Sequence, residues 1–283
     1  RQVLDGVDID VAARRSLDAS LHRAEELQMA EERAVALVSR AELDRIEGQF
    51  ADAHASALQA RDLFVALDDQ RGRIESVLVA IQSLLEVGDA AAAAALLATL
   101  PEDAIASREQ RAQRAQRDAE LALLQSDGTR ATQAAAHAIA LADASRSLAQ
   151  SLSGRILLAE AEFTQGDPRR AARTLADARE HLARYASVPL RLRLLEAELR
   201  IAPDQAAARY REARSELARW PQYGRAWHLH SAALVALRQR DGVLAKEAGT
   251  AAALAATALQ SQTPIASRDA TSKWLDATRE PAP

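Results

Sequence analysis

Gln165-Gly166-Asp167-Pro168, with Ala171 three residues further on, is the stretch whose reading decides the fold. Gly166 supplies the positive φ that ends a helix, and Asp167 and Pro168 suit the first positions of the next one. A short break of this kind joins two antiparallel helices. The same layout recurs along the chain. It reads Glu47-Gly48-Gln49-Phe50, Val87-Gly88-Asp89-Ala90, Ser126-Asp127-Gly128, Ile201-Ala202-Pro203-Asp204 and Arg240-Asp241-Gly242.

Aligning the chain on these breaks exposes a repeat. One position in each second helix holds Ala53, Ala93, Ala131, Ala171, Ala206 and Ala245. Four residues later come Ala57, Leu97, Ala135, Leu175, Tyr210 and Gly249, and three beyond those Ala60, Leu100, Ala138, Ala178, Ala213 and Ala252. The matching site of the first helices holds Ala41, Ile81, Ala119, Ala159, Leu194 and Ala233. Steps of four and three residues place these side chains on one helical face, where small groups let helices approach closely. Successive units are 40, 38, 40, 35 and 39 residues apart, counted from Ala53 to Ala245.

The pattern of Gly, then Ala five positions on, an apolar residue four further and Ala three beyond that resembles the tetratricopeptide repeat, over about residues 30–260. The resemblance implies an all-α fold, a right-handed solenoid of antiparallel helix pairs spanning 1–283. The period is longer than the family's usual ~34 residues, as in long-helix bacterial regulatory members. Repeats are expected over 30–68, 69–106, 107–146, 147–186, 187–221 and 222–260. Residues 1–29 would form the second helix of a partial repeat, with Ala13 one period before Ala53, and 261–283 a capping helix bearing Trp274 and Leu275, then a tail. Asp44 stands where an apolar residue is expected. The chain opens at Arg1 without Met, which points to a piece of a longer protein.

Composition supports helices and narrows the function. Hydrophobic residues make up 48 % but aromatics only 3 %, so alanine and leucine carry the apolar content. A net charge of −4 argues against direct binding to nucleic acid. No apolar run reaches the roughly 18 residues of a membrane span. With no cysteine, disulfide and thiolate chemistry are excluded, and the cytoplasm is the expected compartment, the periplasm being equally compatible with that composition.

The motifs of catalysis and metal binding are missing, so the chain reads as a non-enzyme with no cofactor and no metal. His228 and His230 are two apart and diverge on a helix, and the remaining histidines, His22, His54, His137 and His181, are scattered. The glycines are isolated turn residues rather than a phosphate loop. Asp68-Asp69 reads as a helix-terminal loop, and Arg108, Arg111, Arg114 and Arg117 as a solvated face with ion pairs to Glu109, Asp118 and Glu120.

In tetratricopeptide domains the first helix of each repeat lines an inner groove. The resemblance therefore nominates Glu42, Arg45, Gln82, Glu86, Gln116, Glu120, Glu160, Phe163, Arg191, Glu198, Trp227, His230 and Arg238 as the partner-binding surface. Such a groove is acidic toward its N-terminal end and more apolar toward its C-terminal end. It would suit a protein or extended peptide with basic and then apolar side chains. Trp227 and Phe163 are the nominated anchors, because aromatics concentrate binding energy, while Trp220 and Tyr223, beside Pro221, are expected to pack a turn. The lysine–asparagine clamp of chaperone-binding members is absent. The expected role is the scaffold part of a larger bacterial regulatory or signalling protein. The alternative is a sensor whose closed superhelix encloses a small molecule or signalling peptide.

Overall fold

The computed structural model describes residues 6–262 except 184, 186, 221 and 222, with side chains described over 14–258. Over these residues the chain is an all-helical solenoid of thirteen α-helices. They are α1 (Gly6–Glu26), α2 (Ala30–Ile46), α3 (Phe50–Ala66), α4 (Gln70–Glu86), α5 (Ala90–Ala98), α6 (Arg108–Leu124), α7 (Gly128–Ala144), α8 (Leu148–Thr164), α9 (Pro168–Leu182), α10 (Val188–Ile201), α11 (Ala206–Arg219), α12 (Ala226–Leu237) and α13 (Gly242–Gln262). The segment expected to cap the stack, with Trp274 and Leu275, lies outside the described residues.

One turn, used seven times, sets the geometry. Its middle residue lies in the left-handed region: Gln28, Gly48, Asp68, Gly88, Ser126, Arg146 and Gly166, with φ between 54° and 84°. The residue after it donates its N–H back to the carbonyl five positions earlier, as from Gln49 to Asp44 at 2.7 Å and from Asp167 to Glu162 at 3.0 Å. This closes the orphan carbonyls of the preceding helix. The following helix is then capped: Asp69, Asp89, Asp127 and Asp167 each accept an N–H three residues on, at 3.0 Å. Asp68-Asp69 is thus a turn residue followed by a cap. At Ser126-Asp127-Gly128 the left-handed residue is Ser126, and Gly128 is the first residue of α7.

Helices of 17 residues joined by three-residue turns give a 40-residue pair, which explains the long period. The departure at 38 residues comes from α5, which stops at Ala98. A loop with a 3₁₀ turn at Glu102–Ala104 replaces its second half, and Leu100 and Ile105 from that loop plug the core in place of helix.

The aligned small positions form the seams. Ala41, Ala53, Ala57, Ala60, Ile81, Ala93, Ala119, Ala131, Ala135, Ala138, Ala159 and Ala171 are completely covered. Asp44 is buried as well, and its exception is resolved by α1: the Arg14 guanidinium donates to Asp44 Oδ1 at 2.8 Å and also pairs with Glu47.

The solenoid closes on itself. The N–H of Gly224, in the turn before α12, donates to the carbonyl of Ile46 at the end of α2, 2.7 Å away. Gly224 and Gly48 meet back to back, so closely that a β-carbon on Gly224 would lie 2.5 Å from the Gly48 Cα. Next to them Trp227 packs on Phe50 and Val87, from the α2–α3 and α4–α5 turns.

Candidate functional site

The closed superhelix surrounds a groove of about 420 Å³. Its lining runs diagonally across the helices. It takes Glu42, Arg45 and Ile46 from the C-terminal end of α2, then crosses the middle of α4 at Glu75, Leu78, Val79, Gln82 and Glu86 and of α6 at Gln113, Gln116, Arg117 and Glu120. It ends on the first turns of α8 (Ala149, Gln150, Ser153) and α10 (Pro189, Leu190, Arg193), with Tyr185, Ser187, Tyr223 and Arg225 from the preceding segments. The diagonal is the superhelical pitch, since each pair is displaced along the axis relative to the one before it.

The floor is a matched set of buried charges. Arg193 donates to Glu160 at 2.8 Å and lies 3.6 Å from Glu196. Arg225 bridges Glu196, at 2.9 Å, and Glu86. Arg200 adds ion pairs to Glu196 and, at 3.5 Å, to Glu160. Arg117 binds Glu120 at 2.7 Å. Burial pushes the Glu86, Glu120 and Glu196 carboxyls up from the ordinary carboxylate range, and the neighbouring arginines oppose that. Burial also works against the charge on Arg193, but Glu160, Glu196, Glu120 and Glu86 outweigh it and leave its pKa raised. The acids of the groove therefore come with cations of their own.

Above this floor stand primary amides. Gln82 and Gln113 make no hydrogen bond among the described residues. Gln150 keeps a covered Oε1 without a partner, while Gln116 Nε2 is committed to the Gln150 carbonyl at 2.8 Å. Glu42 and Glu75 form an exposed rim.

Of the nominated residues, Glu42, Arg45, Gln82, Glu86, Gln116 and Glu120 line this groove together, and Glu160 lies beneath it on Arg193. The others are elsewhere. Trp227 is 6 % exposed and sits in the closing contact, not in the groove. Glu198 pairs with Arg179 and Arg209, and Arg191 faces Glu216 on α11 at 3.7 Å. His230 bonds the Tyr210 hydroxyl at 3.0 Å inside the α11–α12 seam. Phe163 and Arg238 are exposed near the ends of α8 and α12, away from the lining. Tyr223 and Trp220 pack into the C-terminal core, as expected of turn residues. The arginine run divides: Arg117 is buried on Glu120, and Arg114 donates to the Leu100 carbonyl at 2.7 Å, so it is no solvated face.

Sequence reasoning missed Arg193 and Arg225. The signal for Arg193 was present: Pro189, Arg193, Glu196 and Arg200 step along α10 by four, three and four residues, on one face beside the apolar stripe of Leu192, Leu195 and Leu199. Among the described residues no group of three or more His, Asp or Glu is placed to hold a metal, and no helix is long and apolar enough to cross a membrane.

No protein-family model matches the chain, and no curated protein matches it in sequence. Solved structures do match in fold. A Rap protein complexed with Competence and Sporulation Factor superposes with a TM-score of 0.73 at 15 % identity, over 87 % of this chain and 71 % of that one. The apo form of RapI superposes with a TM-score of 0.65 at 13 % identity, over 87 % of this chain and 91 % of that one.

Proposed function

We propose that the chain is a non-catalytic regulatory scaffold that binds a short extended peptide inside the closed superhelix. The observation that carries this reading is the groove itself. About 420 Å³ falls within the ~300–1,000 Å³ of ordinary ligand sites. It is lined by five successive first helices, with Gln82 and Gln113 unpaired to one another or to their neighbours. A primary amide offers both a donor and an acceptor, which is what a peptide unit requires. The Rap protein of similar fold, solved with Competence and Sporulation Factor, supports a ligand-binding role for such a superhelix.

The matched charges refine the expected partner. Glu86, Glu120, Glu160 and Glu196 are already occupied by Arg117, Arg193, Arg200 and Arg225. A basic side chain would then be favoured only at the rim, near Glu42 and Glu75. The remainder of the peptide would be uncharged. Closure of the ring also favours the alternative of a compact small-molecule ligand.

Selection from a displayed library of random linear heptapeptides against the purified chain tests this. The expected result is enrichment of a sequence family whose affinity falls about tenfold or more in Gln82→Ala/Gln113→Ala, since two lost hydrogen bonds are worth about 1–3 kcal/mol. Enriched peptides indifferent to that double substitution would move the site out of the groove. Enrichment of no sequence would favour the small-molecule reading.

A further inference from the structure

The contact that closes the superhelix is narrow. It includes one backbone hydrogen bond from Gly224 to Ile46, the cluster of Trp227 with Phe50 and Val87 against which Ala255 packs, the bridge of Arg225 to Glu86, and a hydrogen bond between His228 and the Glu86 backbone. Ala255 on α13 apart, these links lie between residues 46–87 and 224–228, far apart in sequence, and they involve turns and one helix start rather than helices packed along their lengths. Arg225, which closes the ring, is also a wall residue of the groove, as is Tyr223 two positions before it. Arg225 is the keystone. It satisfies Glu86 on α4 and Glu196 on α10 together, and both carboxylates are buried.

We infer that this contact is a reversible latch, whose opening dismantles one wall of the groove and uncovers Phe50, Val87 and Trp227. A ligand that touches Tyr223 or Arg225 binds the latched form better, and by linkage holds the ring shut. The unlatched form instead presents an apolar face made of two turns and a tryptophan. The state of the ring thereby reports whether the groove is filled. The ligand half of this coupling rests on the groove being the binding site; the latch itself does not.

The absence of native cysteine allows a direct test in the full chain. Spin labels are placed at Asp52→Cys on α3 and Arg219→Cys at the end of α11, both exposed and on either side of the contact. With the native latch, pulsed electron resonance should give one narrow distance. In Arg225→Gln and in Gly224→Val the distribution should lengthen and broaden, while helical circular dichroism stays at the native level. A narrow, unchanged distance in two folded variants would overturn the latch, and so would a broad distribution in the native chain. If Gly224→Val fails to fold, Arg225→Gln alone decides, because it removes no backbone contact. Addition of a heptapeptide selected as above should restore the narrow distance in Arg225→Gln at least partly, and should bind it at least tenfold more weakly than the native ring. A selected peptide that binds both forms equally would refute the coupling. Failure to select any peptide would count against the groove reading and leave the label distances to judge the latch.

Discussion

His230 shows what burial does to a single titratable group. Its Nδ1 faces the Tyr210 hydroxyl at 3.0 Å within the α11–α12 seam. Burial, and to a lesser degree the charge of Arg214, hold its pKa down to about 4. An unfolded histidine protonates near 6.5, so as pH falls from about 6.5 to 4 the unfolded chain takes up a proton that the folded chain refuses. Stability from this group is complete above about 6.5 and drains away toward 4, amounting to about 3 kcal/mol. His228, lowered by burial and by Arg200 and Arg193, acts in the same direction. Glu86, Glu120 and Glu196, with raised values, act oppositely and lose stability as pH rises above about 4.5. The expected outcome is therefore a difference: between pH 7 and 4 the native chain loses about 3 kcal/mol more than His230→Gln in urea unfolding. Parallel pH profiles would show that His230 is not held neutral. At the seams the prediction is steric. Ala171 is completely covered, so Ala171→Arg should cost about 3 kcal/mol or more, read as a large fall in melting temperature.

At the scale of elements the turns were the most legible part of the sequence. Every Gly- or Asp-bearing break falls between two helices, because the signal is local: a left-handed residue and a capping carboxylate act within a few positions. What stayed hidden was the use of Gln28, Asp68, Ser126 and Arg146 in the same left-handed position, since those residue types do not announce it. Helix α5 was misjudged for a related reason. Leu100 keeps its place in the core from a loop, and an apolar residue at the right spacing does not reveal whether helix or loop delivers it. Asp44 looked like an error in the pattern until α1 supplied Arg14, a partner 30 residues away. Arg14→Ala should leave the Asp44 carboxylate buried without that cation, at about 1–3 kcal/mol. Hydrogen exchange should then accelerate in α1 and the last turn of α2, while α6–α9 keep their protection. Unchanged protection in α1 would mean that the ion pair does not dock it.

The whole molecule is a helix of helices, and at that scale the nominated surface and the enclosed groove part company. One fixed position applied to every first helix gathers Glu42, Arg45, Gln82, Glu86, Gln116 and Glu120 of α2, α4 and α6 in a single groove. From α8 onward the nominated positions leave the lining, because the pitch carries it toward the helix starts. By then the nominated positions have rotated into seams, as with Arg191 and Glu198, or into the closing contact, as with Trp227. The pitch is a sum of small displacements between pairs and has no local signature. On this reading the enclosed groove, not the outer face, receives the partner. A photo-reactive benzoylphenylalanine placed at Gln113 in the groove, or at Arg238 outside it, distinguishes the two with any peptide selected by the chain. A covalent adduct is expected at Gln113 and none at Arg238. Capture at Arg238 with none at Gln113 would contradict it.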